Sequence, residues 1–205
     1  MKLISVPYID QTKKYPTGCE SISTVMLLQY LGYKITPETF INQYLPRKDF
    51  ELHDGVPFGP DPQDFFIGSP YNNDKGSYGC YTGAIIRALT PIVSKDYIIR
   101  DETGTPMSKL ITSYLDKDMP VIFWATLNML ESIPGPTWKL LSTGEDFTWK
   151  NNLHCLLLVG YDEENYYFND PWENHGCIGY SKILVEMRHI EQYAMAVGLI
   201  RKDSI

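Results

Sequence analysis

The run Leu153-His154-Cys155-Leu156-Leu157-Leu158-Val159-Gly160 sets the strongest limit on how this chain can fold. It is strand-length, almost wholly apolar and without polar alternation, so it reads as a buried strand. Asp162 to Asn165 make a turn, and Tyr166-Tyr167-Phe168-Asn169-Asp170 return as the partner strand, stopped by Pro171. A sheet must therefore form around this hairpin.

The hairpin also makes a conditional statement about chemistry. His154 begins one strand and Asp170 ends the other, so both lie at the same end of the hairpin. Side chains alternate between faces, and a slip of one residue moves a whole set across the sheet. A two- or four-residue loop sets His154 against Glu173 and sends Asp170 to the opposite face. A three- or five-residue loop, or a bulge, sets His154 against Trp172. Asp170 is then a same-face diagonal neighbour, roughly 7–8 Å away between backbones and within reach of a carboxylate–imidazole hydrogen bond. Asn169 is the competing partner for the histidine.

Upstream, Tyr15-Pro16-Thr17-Gly18-Cys19-Glu20-Ser21-Ile22-Ser23 places a cysteine at a helix start, with Thr17 or Gly18 as the cap. The helix runs from Ser21 to Leu31 and stops at Gly32. Free N–H groups and the positive end of the helix dipole there favour a thiolate over a thiol. Thr36-Pro37-Glu38 starts a second helix, to about Tyr44. Helices are also expected over 79–89, 106–117 and 181–193. Strands are expected over 3–8, near 97–99, over 121–125 and over 194–200. The stretch 46–79 lacks periodicity and is expected to be a long connection, either walling a cleft or forming a mobile surface insertion, and 127–150 is expected to be a second long connection. Helices first and antiparallel strands later predict an α+β fold.

Bulk properties exclude several functions. Net charge is −7 with no Lys or Arg run, which argues against nucleic acid and anionic membrane partners. No apolar stretch is long enough to span a bilayer. The N-terminal apolar segment is too short for a signal peptide, so the protein is expected to be cytoplasmic, or secreted if an upstream signal has been removed. With 43% hydrophobic and 13% aromatic residues, one domain over 1–205 is expected, helical to about 118 and sheet-forming from about 119. The four cysteines, Cys19, Cys80, Cys155 and Cys177, form no CxxC pair. His154-Cys155 and His175-x-Cys177 lack metal-site spacing, so neither metal nor cofactor is expected.

A cysteine nucleophile needs a base, and the base needs an orienting group. Cys19, His154 and Asp170 (or Asn169) supply these types, and Gln11 offers an amide donor beside the cysteine. His53 falls in a long loop, His175 follows a turn and His189 sits in an amphipathic helix, where a surface position is expected. Aromatic residues can form substrate walls, and Tyr78 and Trp149 in the long connections, with Trp124 in the 121–125 strand, are the candidates.

These residues resemble a known family. Val6-Pro7-Tyr8-Ile9-x-Gln11 with Pro16-Thr17-Gly18-Cys19-Glu20-Ser21, then Tyr78-Gly79-Cys80-Tyr81, are similar to blocks of bacterial family-39-like cysteine peptidases. So are Pro120-Val121-x-x-Trp124-Ala125-Thr126, His154-Cys155-Leu156-x-Leu158-Val159-Gly160-Tyr161-Asp162 and Tyr167-Phe168-Asn169-Asp170-Pro171. That family comprises papain-like relatives of the leader-cleaving domains of bacteriocin exporters. The resemblance implies a papain-like fold, with Cys19 as nucleophile, His154 as base and then acid, Asp170 as orienter and Gln11 as oxyanion donor. It implies thiol-dependent hydrolysis of a peptide or related amide. With nothing following Ile205, cleavage coupled to a fused exporter is not expected. An acyl or amide transferase using the same triad, or a silent binding module on the same fold, are the alternatives.

Overall fold

The helix Cys19–Tyr30 (α1) is buried at every position from Cys19 to Leu28, which only a central location allows. The structure is a computed structural model describing residues 1–74 and 76–204. Ahead of α1 lies a short strand, β1 (Lys2–Leu3), and after it α2 (Pro37–Gln43), whose first turn is closed by Thr39 N–H donating to Thr36 Oγ1 at 3.2 Å. Then come β2 (Arg47–Lys48), β3 (Glu51–His53), β4 (Val56–Gly59), β5 (Phe66–Ile67), α3 (Thr82–Val93), β6 (Tyr97–Asp101) and α4 (Met107–Ser113). The second half carries β7 (Val121–Thr126), β8 (Ile133–Leu140), β9 (Asp146–Asn151), β10 (Leu153–Tyr161), β11 (Asn165–Asp170), β12 (Gly176–Ser181), α5 (Lys182–Glu191) and β13 (Ala196–Arg201).

The main sheet runs β12-β11-β10-β7-β13-β6, with β1 on β10, and its pairings are antiparallel. β10 and β7 form its interior, which is why their sequences are continuous apolar runs: Val121 to Thr126 and His154 to Gly160 are all buried. Helix α1 packs on these two strands. Ser23 Oγ, inside the helix, donates to the Cys155 carbonyl of β10 at 3.1 Å.

Several expectations need correction. Of the 3–8 run only Leu3 joins the sheet, as the second residue of β1, although Ile4 N–H still bonds to Val159 O at 2.8 Å. The helix expected over 79–89 starts at Thr82 and continues through Pro91 to Val93. The stretch 127–150 is no loop: β8 and β9 pair, and β8 joins β4 in a second sheet ordered β3-β4-β8-β9. Pro134 and Pro136 hid β8 by removing ladder donors, and the pairing shifts register there to accommodate them. The stretches 46–79 and 127–150 thus find each other. They share an aromatic cluster in which Phe50 and Tyr78 stand 5.1 and 5.4 Å from Trp138 between ring centroids. Strand β12 was not foreseen at all.

His189 is also not on the surface. It is 4% exposed, stacks on Phe123 at 3.9 Å and shares a 2.7 Å hydrogen bond between Nδ1 and the Trp124 carbonyl. Burial depresses its pKa to about 4, the carbonyl only partly opposing this. The unfolded chain therefore binds the proton first, and stability is full above about pH 6.5 and falls as pH drops toward 4. The buried Glu20 carboxyl, raised to about 7, acts in the opposite sense over nearly the same window, so the His189 contribution is read as a difference between proteins. We expect urea denaturation to show His189→Gln gaining about 3 kcal/mol relative to the wild type as pH drops from about 6.5 to 4.

Candidate active site

A bulge at Val159 decides which side chains share a face. Near the turn the register is the even one, Tyr161 with Tyr166 and Gly160 with Tyr167. Beyond Val159 it has slipped by one, pairing Leu158 with Phe168 and Leu157 with Asn169. Continuing that register sets Leu156 against Asp170, so His154 and Asp170 become diagonal neighbours. His154 Nε2 lies 2.7 Å from Asp170 Oδ1, the two side chains being 3% and 1% exposed. Asn169 points elsewhere: its amide donates to the Val6 and Pro7 carbonyls at 3.2 and 3.4 Å. Of the two candidates, it is Asp170 that meets the histidine.

Asp170 gathers more partners than the sequence suggested. His175 Nδ1 lies 3.1 Å from Oδ2, the Tyr180 hydroxyl donates to Oδ2 at 2.8 Å, and Trp172 N–H donates to Oδ1 at 3.0 Å. Burial works to raise the Asp170 pKa, but His154, His175 and the Trp172 amide outweigh it and hold the carboxyl well below its usual range. Spacing could not reveal His175 and Tyr180, because they reach Asp170 only through the unforeseen strand β12. A histidine just before an undetected strand and a tyrosine within it carry no signal of their own.

The first eleven residues connect the cysteine to this hairpin. Gln11 N–H donates to Pro171 O at 2.9 Å, its carbonyl accepts Tyr15 N–H at 2.8 Å, and its Nε2 donates to Pro16 O at 3.2 Å. Gln11 is thereby held between the residue after Asp170 and the approach to Cys19. One Nε2 hydrogen stays available after the Pro16 bond. Cys19 itself occupies the first helical position, where its N–H has no intrahelical partner to seek.

The state of the Cys19 thiol departs from expectation. Its sulfur bonds to Glu20 Oε2 at 3.4 Å, and the residue is 6% exposed. Burial, then the Glu20 charge and Cys155, push the thiol pKa well up, and the opposing Cys155 backbone amide is too weak to offset them. A helix N-terminus is worth only about 0.3–1 kcal/mol to a neighbouring anion. Burial wins here.

The proposed substrate walls fare unevenly. Trp124 has no exposure and its Nε1 donates to Cys80 O at 3.1 Å, so it is a core residue and is withdrawn as a wall. Trp149 is 3% exposed within the aromatic cluster, at the edge of a cavity of about 370 Å³ bordered by Pro134, Lys150, Glu191 and Tyr193. Tyr78 is half-buried in the same cluster, 5.7 Å from Trp149. Among the described residues, no group of three or more His, Cys, Asp or Glu side chains could hold a metal ion. Nor is any helix among them long and apolar enough to cross a membrane.

A cysteine-bearing helix packed on an antiparallel sheet is the α+β, papain-like arrangement of cysteine peptidases. The chain belongs to the Peptidase_C39 like family, whose model matches residues 3–197. It is 30% identical over 167 residues to the uncharacterized protein YvpB of Bacillus subtilis (strain 168), covering 80% of this chain and 61% of that protein. The match therefore spans about three-fifths of the length of this relative. The fold is similar to the crystal structure of a candidate C39-like peptidase from Bacillus anthracis, with a TM-score of 0.85, 25% identity and 98% of both chains covered.

The asymmetry between Asp170 and Asn169 can be measured. Asp170→Ala leaves His154, His175, Tyr180 and the Trp172 amide without their acceptor and should cost about 3–5 kcal/mol in urea denaturation. Asn169→Ala removes weaker bonds to two carbonyls and should cost about 1–2 kcal/mol. Equal costs would contradict the network described above.

Proposed function

We propose that this chain is a thiol-dependent hydrolase of peptide or related amide bonds, with Cys19, His154 and Asp170 acting together and Gln11 assisting. The buried 2.7 Å His154–Asp170 contact carries the reading, in a strand tied to the Cys19 helix through Ser23 and Cys155. Asp170 engages Nε2, which leaves Nδ1 as the nitrogen for the sulfur. Asp170 then fixes the tautomer and stabilises the imidazolium.

In the first half-reaction the Cys19 thiol gives its proton to His154 Nδ1 and the sulfur attacks the substrate carbonyl. The oxyanion is met by the backbone N–H of Cys19 and the free Nε2 hydrogen of Gln11. His154 returns the proton to the leaving amine, and the C–N bond breaks to leave a thioester on Cys19. In the second half, His154 takes a proton from water as it attacks the thioester. The carboxylic acid is then released and the thiol restored. If an amine replaces water, the same site performs acyl transfer.

The test is labelling with a chloromethyl ketone or epoxide at neutral pH, followed by peptide mapping. Cys19 should be modified selectively over Cys80, Cys155 and Cys177, and the selectivity should vanish in His154→Ala. Uniform or absent modification would instead support a silent binding module. Where a substrate is in hand, Gln11→Ala should lower kcat by about 10²–10³, the usual loss for one oxyanion donor.

A further inference from the structure

Glu20 has no exposure, and the reaction above gives it no part. Its carboxylate occupies a pocket shaped around it. Oε1 accepts the Cys80 N–H at 2.8 Å, and Oε2 lies 3.4 Å from the Cys19 sulfur. Gly79 sits at φ +135°, and a Cβ there would fall on Oε1, so the backbone at 79 can approach only because it has no side chain. The titratable groups facing Glu20 are Cys19 on its own helix, Cys80 ahead of α3 and Cys155 on β10, and its charge bears on all three thiols. His154 stands next to Cys155 in β10. What acts on Glu20 is burial, the amides of Cys80 and Glu20, and the Cys19 thiol; none of these is a cation.

Building on the reading of Cys19 as nucleophile, we propose that Glu20 is a protonation gate on it. When ionised, Glu20 Oε2 accepts the thiol hydrogen bond and holds the sulfur as a thiol; when neutral, it frees the sulfur to pass its proton to His154. A carboxylate and a thiolate 3.4 Å apart in a dry site cannot both carry charge at ordinary cost, so one of them keeps a proton. Burial raises Glu20 to about 7, which puts the gate near neutrality. Below that pH, Glu20 holds a proton taken from solvent, and the Cys19 proton moves to His154 Nδ1 with no net change in charge. Above it, Glu20 returns its proton to solvent, and the His154 proton goes back to sulfur. The reactivity of Cys19 thus falls as pH rises through about 7, the reverse of an ordinary thiol.

The experiment follows iodoacetamide alkylation of the full chain, with the rate at Cys19 read by peptide mapping over about two pH units either side of neutrality. In that step the thiolate forms a C–S bond as the C–I bond breaks and iodide leaves. In the wild type the rate at Cys19 should peak below about pH 7 and drop about tenfold above it, the equivalent of one pK unit of coupling. Glu20→Gln keeps the side-chain size and an acceptor for Cys80, and should show no such drop. A selective Cys19 label with the same pH profile in both proteins overturns the gate alone. Absence of selective, His154-dependent labelling at every pH overturns the nucleophile reading, and the gate with it. If Glu20→Gln does not fold, carbon-13 NMR of labelled glutamate in the wild type decides. The carboxyl titrating near 7 should move upward when Cys19 is alkylated, because the thiol bond that lowers it is lost. A carboxyl that stays in place overturns the gate.

Discussion

The candidate site rests on one extra residue in one strand. Without the bulge at Val159, the even turn between Tyr161 and Tyr166 would continue in even register and place Asp170 on the face opposite His154. The bulge is not left to the hairpin alone. Its carbonyl accepts the Ile4 N–H, and the next residue, Gly160, pairs with Leu3 so closely that any side chain there would strike the Lys2 carbonyl. The same N-terminal segment then runs on to Gln11, whose backbone holds Pro171. A short, largely irregular stretch therefore braces the hairpin at the bulge and again beyond Asp170. It delivers Gln11 between the two halves of the site while doing so.

Helix α1 carries the opposite kind of constraint. Its burial is so complete that the polar groups on its first turns have only protein around them, and all but Ser21 Oγ find partners there. Ser23 reaches Cys155, Thr24 Oγ1 donates back to the Glu20 carbonyl at 2.7 Å, and Glu20 takes the Cys80 amide. These bonds join the helix to β10 and to the segment ahead of α3, fixing where Cys19 stands. The same dryness raises the pKa of both Cys19 and Glu20, so position is gained at the expense of easy ionisation. The protonation states of neighbouring groups then govern the chemistry available to the sulfur.

Much of this was legible in the residues. Continuous apolar runs identified β7 and β10, and Thr36-Pro37 marked the start of α2. The helix-then-strand order pointed to α+β. Gly18 and Cys19 at a helix start, with His154 and Asp170 at one end of a hairpin, narrowed the chemistry to a few residues. Other features carried no local signal. The prolines of β8 masked a strand that exists because β4 and β9 pair with it. His189 is a polar residue in an amphipathic helix, where a surface position is usual, yet it stacks on Phe123 in the core. Trp124 has the look of a binding aromatic and is wholly enclosed. Glu20, next to Cys19, reads as an ordinary first-turn acid until Gly79 and Cys80 close over it.

The division follows from the range of the forces involved. By itself, the sequence determined the elements whose signals are local: hydrophobic period, caps, turn residues and the chemical types available to a site. Only the tertiary structure decided the face on which Asp170 lies, the partners it shares with His154, and the burial that sets the charge on Cys19 and Glu20. Register depends on the pairing of β1 with β10, and desolvation depends on everything packed around α1. Both are sums over contacts distant in the chain, and no window of neighbouring residues contains them.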